Sequence, residues 1–350
     1  MKPIFPTMLI YISTIMGLCP PIYFKQRFAA KVLDIIWILF WTGAVIATCV
    51  SFQYTRIEQP FLAMKILEIC SHFFQCALAI VVSVAVLKNG WRIKRLLNVL
   101  RKIDYHGGMP KKCDYVSRKI VVVWFFLLFV KMFFTRDMFV HMWIFACAYI
   151  CFLRIDVLLA AAVLVLYQII MKYHCLNQQL NSTDNNEELI FLASTQRKFF
   201  YIIDEINRVF GPALFCSILV AISLILIYLS LFILAFTDRM VLVWSSNVSL
   251  LIDITYLEIH VCGVILLADK LSSEIKKTVA VCHQKSQRCA LSRADEILSD
   301  RFLEMAQQTH LRQVELNAAG FFVLDNSAYV FIISTICTYL TVLCQTTFFA

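Results

Sequence analysis

Seven mainly apolar stretches recur along the chain, and polar, often basic segments separate them. A membrane-spanning helix needs roughly 20 consecutive residues that are mainly apolar. The pattern therefore predicts an all-α membrane protein with seven transmembrane helices. The predicted spans are residues 33–54, 61–87, 120–135, 142–171, 209–236, 241–268 and 327–349.

The segment between the sixth and seventh spans, residues 269–326, carries a helical pattern of its own. Its apolar residues recur near helical spacing, at Leu298, Phe302, Met305, Leu311 and Val314. The spacing predicts a cytoplasmic helix over about 293–318 that stops near Gly320. Asp325, Asn326 and Ser327 are residue types that begin helices. The last span is therefore predicted as two helices, a cytoplasmic anchoring helix and a membrane helix.

Composition supports the membrane class and disfavours several others. The chain is 61% hydrophobic and 16% charged, whereas soluble domains are about 45–50% apolar and about 25% charged. Only 8 Gly and 7 Pro occur, which disfavours a transporter with broken helices. The 14 Cys form no CxxC pair and no zinc spacing, so we expect neither a metal site nor a disulfide framework. No cofactor is expected.

Basic residues alternate between the two sides of the predicted bundle. Of the 32 Lys and Arg residues, 26 lie in the N-terminal tail and in the segments 88–119, 172–208 and 270–326. The positive-inside rule places these segments, and the N-terminus, in the cytoplasm. Seven spans then put the C-terminus outside, opposite to a G-protein-coupled receptor. The net charge of +9 indicates loops near anionic lipid rather than nucleic-acid binding.

The C-terminal residues 318–345, "AAGFFVLDNSAYVFIISTICTYLTVLCQ", resemble the end of insect gustatory receptors. The signature of that family is Thr-Tyr, five mostly apolar residues and then Gln-Phe. Thr338, Tyr339 and Gln345 match the signature, and the Phe position is occupied by Thr346. The family is a seven-transmembrane chemosensory family related to the insect odorant receptors, and the expected topology covers the whole chain.

The resemblance implies a tastant-gated, non-selective cation channel in the plasma membrane of gustatory neurons. It also implies a tetramer, either of identical chains or with other gustatory receptors, around an axis lined by the last helix. Residues 1–268 would form a six-helix ligand-sensing bundle, 269–326 the cytoplasmic loop and anchoring helix, and 327–350 the pore-lining helix. The residues expected to line the pore are Phe331, Thr338, Thr341, Val342 and Gln345.

Single residues of the last helix remain open to two interpretations. Gln345 either faces the pore or hydrogen-bonds a neighbouring helix. Phe331, Ile332 and Val342 are the hydrophobic positions proposed to close the pore by dewetting. Tyr339 is expected to pack between helices, with its hydroxyl hydrogen-bonded.

A tastant pocket is expected in the outer half of spans 1–6, lined mainly by apolar side chains with a few polar groups. The candidate residues are Tyr149, Arg154, Trp244, Asn247, Asp253 and Tyr256. An Arg154–Asp253 contact is one hypothesis, and ions that only hold the bundle together are the alternative. Aromatic belts at the interface are the competing account of the aromatic residues. The aromatic set favours an apolar, aversive tastant.

Three other classes of protein are alternatives to the gustatory channel. An odorant-receptor-like subunit would share its topology and last helix. A G-protein-coupled receptor is disfavoured by the charge balance and by the absence of Asp-Arg-Tyr and Asn-Pro-x-x-Tyr motifs. A membrane enzyme is disfavoured because no HExxH, paired aspartate or cysteine-centred catalytic motif lies in any span.

Overall fold

The computed structural model describes residues 143–236, 244–292, 296–312 and 314–348, with isolated helical positions between 36 and 126. Within these ranges the chain forms five helices and one small hairpin. The helices are α1 Trp143–Ser182, α2 Asn186–Phe236, α3 Trp244–Ser292, α4 Glu296–Arg312 and α5 Asn326–Phe348. The strands β1 Asn317–Ala318 and β2 Phe322–Val323 pair antiparallel between α4 and α5.

The first three described helices are 40, 51 and 49 residues long, far more than the roughly 20 residues that cross a bilayer. Each therefore extends well beyond its predicted span. The segment 172–208 is a nearly continuous pair of helices whose connection is only the residues 183–185. Pro212 lies inside α2 without ending the helix.

The core of the described part runs along the contacts of α1, α2 and α3, and α4 packs beside α3. The largest fully buried side chains include Tyr173, Phe199, Phe200 and Phe302. The rings of Tyr173 and Phe199 lie 4.7 Å apart. Most of this aromatic core lies outside the predicted spans, so the extensions of the helices form a packed body rather than separate rods.

Polar side chains join the helices at the ends of this body. Lys285 of α3 donates hydrogen bonds to the Thr183 carbonyl at 3.2 Å and to Asp184 at 2.9 Å, which ties the α1–α2 connection to α3. The hydroxyls of Ser286 and Ser299 lie 3.0 Å apart and join α3 to α4. Burial raises the pKa of the nearby Cys282 thiol to about 12, which keeps it protonated and inert.

The predictions for the segment 269–326 are confirmed in part. A helix does occur there, but it ends at Arg312 rather than near 318. Residues 317–323 instead form the β1–β2 hairpin, which the sequence pattern did not predict. Gly320 lies in the hairpin turn with φ of 79°, so it turns a hairpin and does not end a helix. The all-α character of the protein is otherwise confirmed.

Length and composition alone mark one described helical stretch, Phe210–Ser230, as able to cross a membrane, and Asn326–Val342 as a shorter apolar stretch. The first falls within the predicted fifth span and the second within the predicted seventh. The predicted spans 33–54, 61–87 and 120–135 lie outside the described residues, apart from isolated positions.

Candidate functional site

The terminal helix α5 has two faces of different character. One face packs against α2 and α3 through Ala328, Ile332 and Ile336, which are all buried. The opposite face is exposed in the single subunit, where Phe331 is 72% and Val342 is 52% exposed. Because a helix repeats every 3.6 residues, positions three and four apart share a face. The exposed positions therefore form one continuous stripe along the helix.

We define the α5 stripe as the exposed side chains from Phe331 onward that lie within roughly one third of the helix circumference. Its members are Phe331, Ser334, Thr335, Thr338, Thr341, Val342 and Gln345. The exposed Val330 and Cys337 flank this stripe on one side. All five residues expected to line a pore belong to it. None of its members is charged, so the stripe presents hydroxyls, one amide and two large apolar side chains.

The threonine hydroxyls of the stripe are already hydrogen-bonded to the helix itself. Thr335, Thr338 and Thr341 each donate to the carbonyl four residues earlier, at 2.8–2.9 Å. Such bonds use the donor and leave the hydroxyl oxygen free to accept. The stripe therefore offers oxygen lone pairs to whatever faces it.

Ile332 does not share this face. It is 6% exposed and belongs to the core cluster, whereas its neighbour Phe331 points away from the core. The structure therefore separates two residues that sequence reasoning had grouped as gate candidates. Of the three candidate gate residues, Phe331 and Val342 lie on the stripe and Ile332 does not.

Tyr339 packs against the core from the half-buried edge of α5. Its hydroxyl lies beside Ser230 of α2, but among the described residues it makes no well-formed hydrogen bond. The expected packing between helices is therefore present, without the clear hydrogen bond that we had expected for its hydroxyl.

The start of α5 is capped as the sequence suggested. Asp325 accepts hydrogen bonds from the Ala328 backbone N–H at 3.0 Å and from the Ser327 hydroxyl at 2.6 Å. These bonds, from Ser327 foremost, lower the pKa of Asp325, so the cap carries a negative charge at the positive end of the helix dipole. Asn326 donates from Nδ2 to Asp269 Oδ2 of α3 at 2.9 Å.

The candidate pocket residues are resolved unevenly. Tyr256 of α3 is buried, at 3% exposure. Tyr149 and Arg154 lie on α1, and Trp244, Asn247 and Asp253 lie on α3, but their side chains lie outside the described residues. The Arg154–Asp253 hypothesis therefore stays a prediction.

Sequence reasoning missed a polar cluster around Glu274, which is 3% exposed between α1 and α3. Asn177 donates to its carboxylate at 3.2 Å, Lys277 lies at 2.6 Å and His174 at 3.6 Å. Burial raises the pKa of Glu274, but the hydrogen bonds from Lys277 and Asn177 outweigh it and the net pKa is lowered. A charged Glu274 thus joins the two helices.

A cavity of about 280 Å³ opens beside this cluster. His174, Asn177, Glu274 and Lys277 contribute to its walls, together with Gln284. Because the charge of Glu274 is already paired within the subunit, the cluster is explained as a link between helices. The sequence signal for it was a buried-face Glu on α3 with Lys277 three residues later. Its partners on α1, Asn177 and His174, lie about a hundred positions away and could not be identified from the pattern.

Comparison with known proteins places this architecture in a family. The family model described as "7tm Chemosensory receptor" matches residues 7–348, nearly the whole chain. The chain therefore belongs to the seven-transmembrane chemosensory receptor family. No curated protein sequence gave a match.

Solved structures with the same fold include the insect olfactory receptor OR5 from Machilis hrabei. Its complex with eugenol matches with a TM-score of 0.73 at 12% identity, covering 98% of each chain. A structure of the same receptor described without a ligand matches with a TM-score of 0.69 at 15% identity, covering 97% of each chain. The predicted seven-helix membrane fold is confirmed by this likeness and by the family match.

Proposed function

We propose that this protein is a gustatory receptor, a tastant-gated and non-selective cation channel in which four copies surround a pore lined by α5. The observation that carries the proposal is the α5 stripe. The Gln345 amide would be costly against lipid, and the threonine oxygens that remain free to accept would find no donor there. Around a water-filled axis they would instead be hydrated and would present oxygen atoms to passing cations.

The order of residues along the stripe fits a conduction path. Phe331 and Val342 are apolar and large enough to close a narrow pore by dewetting. Thr338 and Thr341 lie between them, and Gln345 follows Val342 toward the C-terminus. In a ring of four, the Gln345 amides would form a neutral polar girdle, which suits passage of cations without strong discrimination among them.

The gustatory assignment, in preference to the odorant one, rests on Thr338, Tyr339 and Gln345 in the family signature. Thr346 departs from the signature, and we expect it to alter packing near the pore mouth without abolishing conduction. An odorant-receptor-like subunit is the alternative, and the likeness to OR5 supports it. Agonists separate the two, since a gustatory receptor would respond to dissolved non-volatile compounds. We expect an aversive, largely apolar tastant.

The proposed setting is the plasma membrane of a sensory dendrite, with the N-terminus in the cytoplasm. The extensions of α1, α2 and α3 would then form, with α4, a cytoplasmic body beneath the bundle. Other gustatory receptors are the proposed partners if the tetramer is mixed.

Whole-cell recording during a screen of tastants tests the proposal, with Gln345→Lys as the diagnostic variant. Four added positive charges in the pore should suppress inward cation current several-fold and shift the reversal potential. Gln345→Asn keeps the amide and serves as the control, with selectivity close to that of the parent.

If Gln345→Lys reaches the cell surface and conducts with unchanged selectivity, α5 does not line the pore at this position. Tastant-evoked signals that persist without any membrane current would remove the channel proposal altogether.

A further inference from the structure

The β1–β2 hairpin, which leads into α5, lies against one face of α2. Three residues of α2 make this contact, Asn207, Gly211 and Phe215, and they are spaced four apart. That spacing puts them on one side of the helix. We call these three residues the α2 clamp.

Asn207 holds the backbone at the start of the hairpin. Its Nδ2 donates to the Glu315 carbonyl at 2.7 Å, and its Oδ1 accepts from the Asn317 N–H at 3.1 Å. One side-chain amide thus pairs with the main chain on both sides of residue 316, as a neighbouring strand would. The residues joined are more than a hundred positions apart in the chain.

Gly211 allows the hairpin to approach α2 closely. A Cβ at this position would lie 3.1 Å from the Ala319 nitrogen and 3.3 Å from the Asn317 oxygen, which are both backbone atoms. Ala319 itself has φ of 56°, a left-handed conformation that alanine rarely adopts. The close approach at Gly211 and the left-handed backbone of Ala319 are both expected where a turn must lie at one fixed position against α2.

Phe215 completes the contact one turn further along α2. Its ring stacks on that of Phe321 with centroids 4.5 Å apart and an interplanar angle of 12°. Phe322 lies on the same ring at 6.1 Å. Hydrogen bonds, close backbone approach and ring stacking therefore hold the same seven-residue turn.

The held segment is directly joined to the inner end of α5. The hairpin is closed by the Leu324 N–H, which donates to the Leu316 carbonyl at 2.8 Å, and the Asp325 cap follows at once. Residues 326–348 contain neither Gly nor Pro, which are the usual causes of a bend within a helix. Among the described side chains of α5, Ile336 is the last buried one. Beyond Ile336 the described side chains of α5 are half-buried or exposed, so the fully buried contacts of the helix lie toward its inner end.

We propose that the α2 clamp is the coupling element of the channel: it sets the position of the inner end of α5, so that movement of α2 tilts α5 as a rigid rod about the hairpin. Asn207, Gly211 and Phe215 are then positioning residues for gating, although none belongs to the α5 stripe. The inference rests on the proposed channel function. On this inference, the position of α2, and not the stripe alone, determines how agonist binding changes the pore.

Single substitutions in the clamp test the inference by recording from intact receptors. Asn207→Ala removes both hydrogen bonds and should raise the half-maximal agonist concentration about tenfold. Gly211→Ala pushes the turn away from α2 and should raise the half-maximal concentration at least as much. Asn207→Asp keeps the acceptor for the Asn317 N–H and should raise it by a smaller factor. Single-channel conductance should stay unchanged, since the stripe is untouched. Lys198→Ala, exposed on α2, is the matched control.

Hydrogen exchange provides a readout that does not depend on channel activity. In purified receptor, Asn207→Ala should speed exchange in residues 314–325 and leave α4 unchanged. Clamp variants with parent-like agonist sensitivity and parent-like exchange would overturn the inference, even if the parent conducts. Faster exchange in Asn207→Ala, together with a parent receptor that never conducts, would support the clamp as a structural contact but defeat both the coupling role and the proposed function. A loss of surface receptors alone, with sensitivity unchanged, would mark a folding role and overturn the inference.

Discussion

Asn326, the first residue of α5, donates a hydrogen bond from Nδ2 to Asp269 Oδ2 of α3 at 2.9 Å. The bond crosses between two helices whose residues lie 57 positions apart in the chain. It fixes the end of α5 that follows directly from the hairpin. The N-terminal end of the terminal helix is therefore held by α2 through the clamp and by α3 through this bond.

A double-mutant cycle on Asn326→Ala and Asp269→Ala should reveal coupling between the two residues. The bond is exposed but has a charged acceptor, so we expect a coupling free energy of about 1 kcal/mol. Agonist dose–response curves for the parent, both single variants and the double variant measure it. Strictly additive effects would show that the bond does not contribute to the gating equilibrium.

Much of α5 was predictable from the sequence, because its signals are local. The capping residues 325–327 begin the helix, apolar spacing continues it, and the motif residues Thr338 and Gln345 fall on its exposed side. The separation of Phe331 from Ile332 was not predictable from residue type, since both are large and apolar. Only the packing of α5 against α2 and α3 decides which of them is buried.

The hairpin and its contacts could not be predicted from the sequence, for a different reason. Each strand has only two residues, so no alternating pattern can develop, and Gly320 suits a helix end as well as a turn. The partners of the hairpin, Asn207 and Gly211, lie more than a hundred residues upstream. The contacts of Glu274 with Asn177 and His174 are equally non-local, and these residues carry no family motif.

Alanine substitutions at the adjacent residues Phe331 and Ile332 should affect different properties, conduction in the first case and subunit stability in the second. Ile332 is buried, so Ile332→Ala should destabilise the subunit by about 2–4 kcal/mol through a cavity and lost burial. Phe331→Ala removes an exposed side chain and should change conduction or closure with little effect on subunit stability. Thermal unfolding of purified receptor, paired with recordings, distinguishes the two. A large stability loss in Phe331→Ala alone would show that Phe331 packs between subunits.

The Glu274 cluster should make the α1–α3 contact sensitive to acid. The folded-state pKa of Glu274 is lowered, so its contribution is fully present above the ordinary glutamate pKa of about 4.3. That contribution is lost as the pH falls through the lower folded-state pKa. Thermal unfolding compared at about pH 5 and at pH values below about 4 should therefore show a loss that Glu274→Gln diminishes.

Glu274→Gln should lower the free energy of unfolding by about 1 kcal/mol at neutral pH, since a buried charge-assisted hydrogen bond is weakened. Glu296→Gln, an exposed glutamate at the start of α4, is a suitable control for removal of one charge. Equal pH profiles for the parent and Glu274→Gln would show that Glu274 does not stabilise the contact between the helices.

The orientation of the chain can be tested with the native sequon Asn181-Ser-Thr. Asn181 is exposed at the end of α1, whereas Thr183 of the same sequon is buried, so any glycan would have to be added before the chain folds. On the predicted topology it faces the cytoplasm and should remain unmodified, whereas a sequon inserted between spans 3 and 4 should be glycosylated. Antibody staining should find a C-terminal tag on intact cells and an N-terminal tag only after permeabilisation. A glycan on Asn181 would reverse the orientation, placing the α2 clamp and the capped start of α5 outside the cell, and would return the G-protein-coupled orientation to consideration.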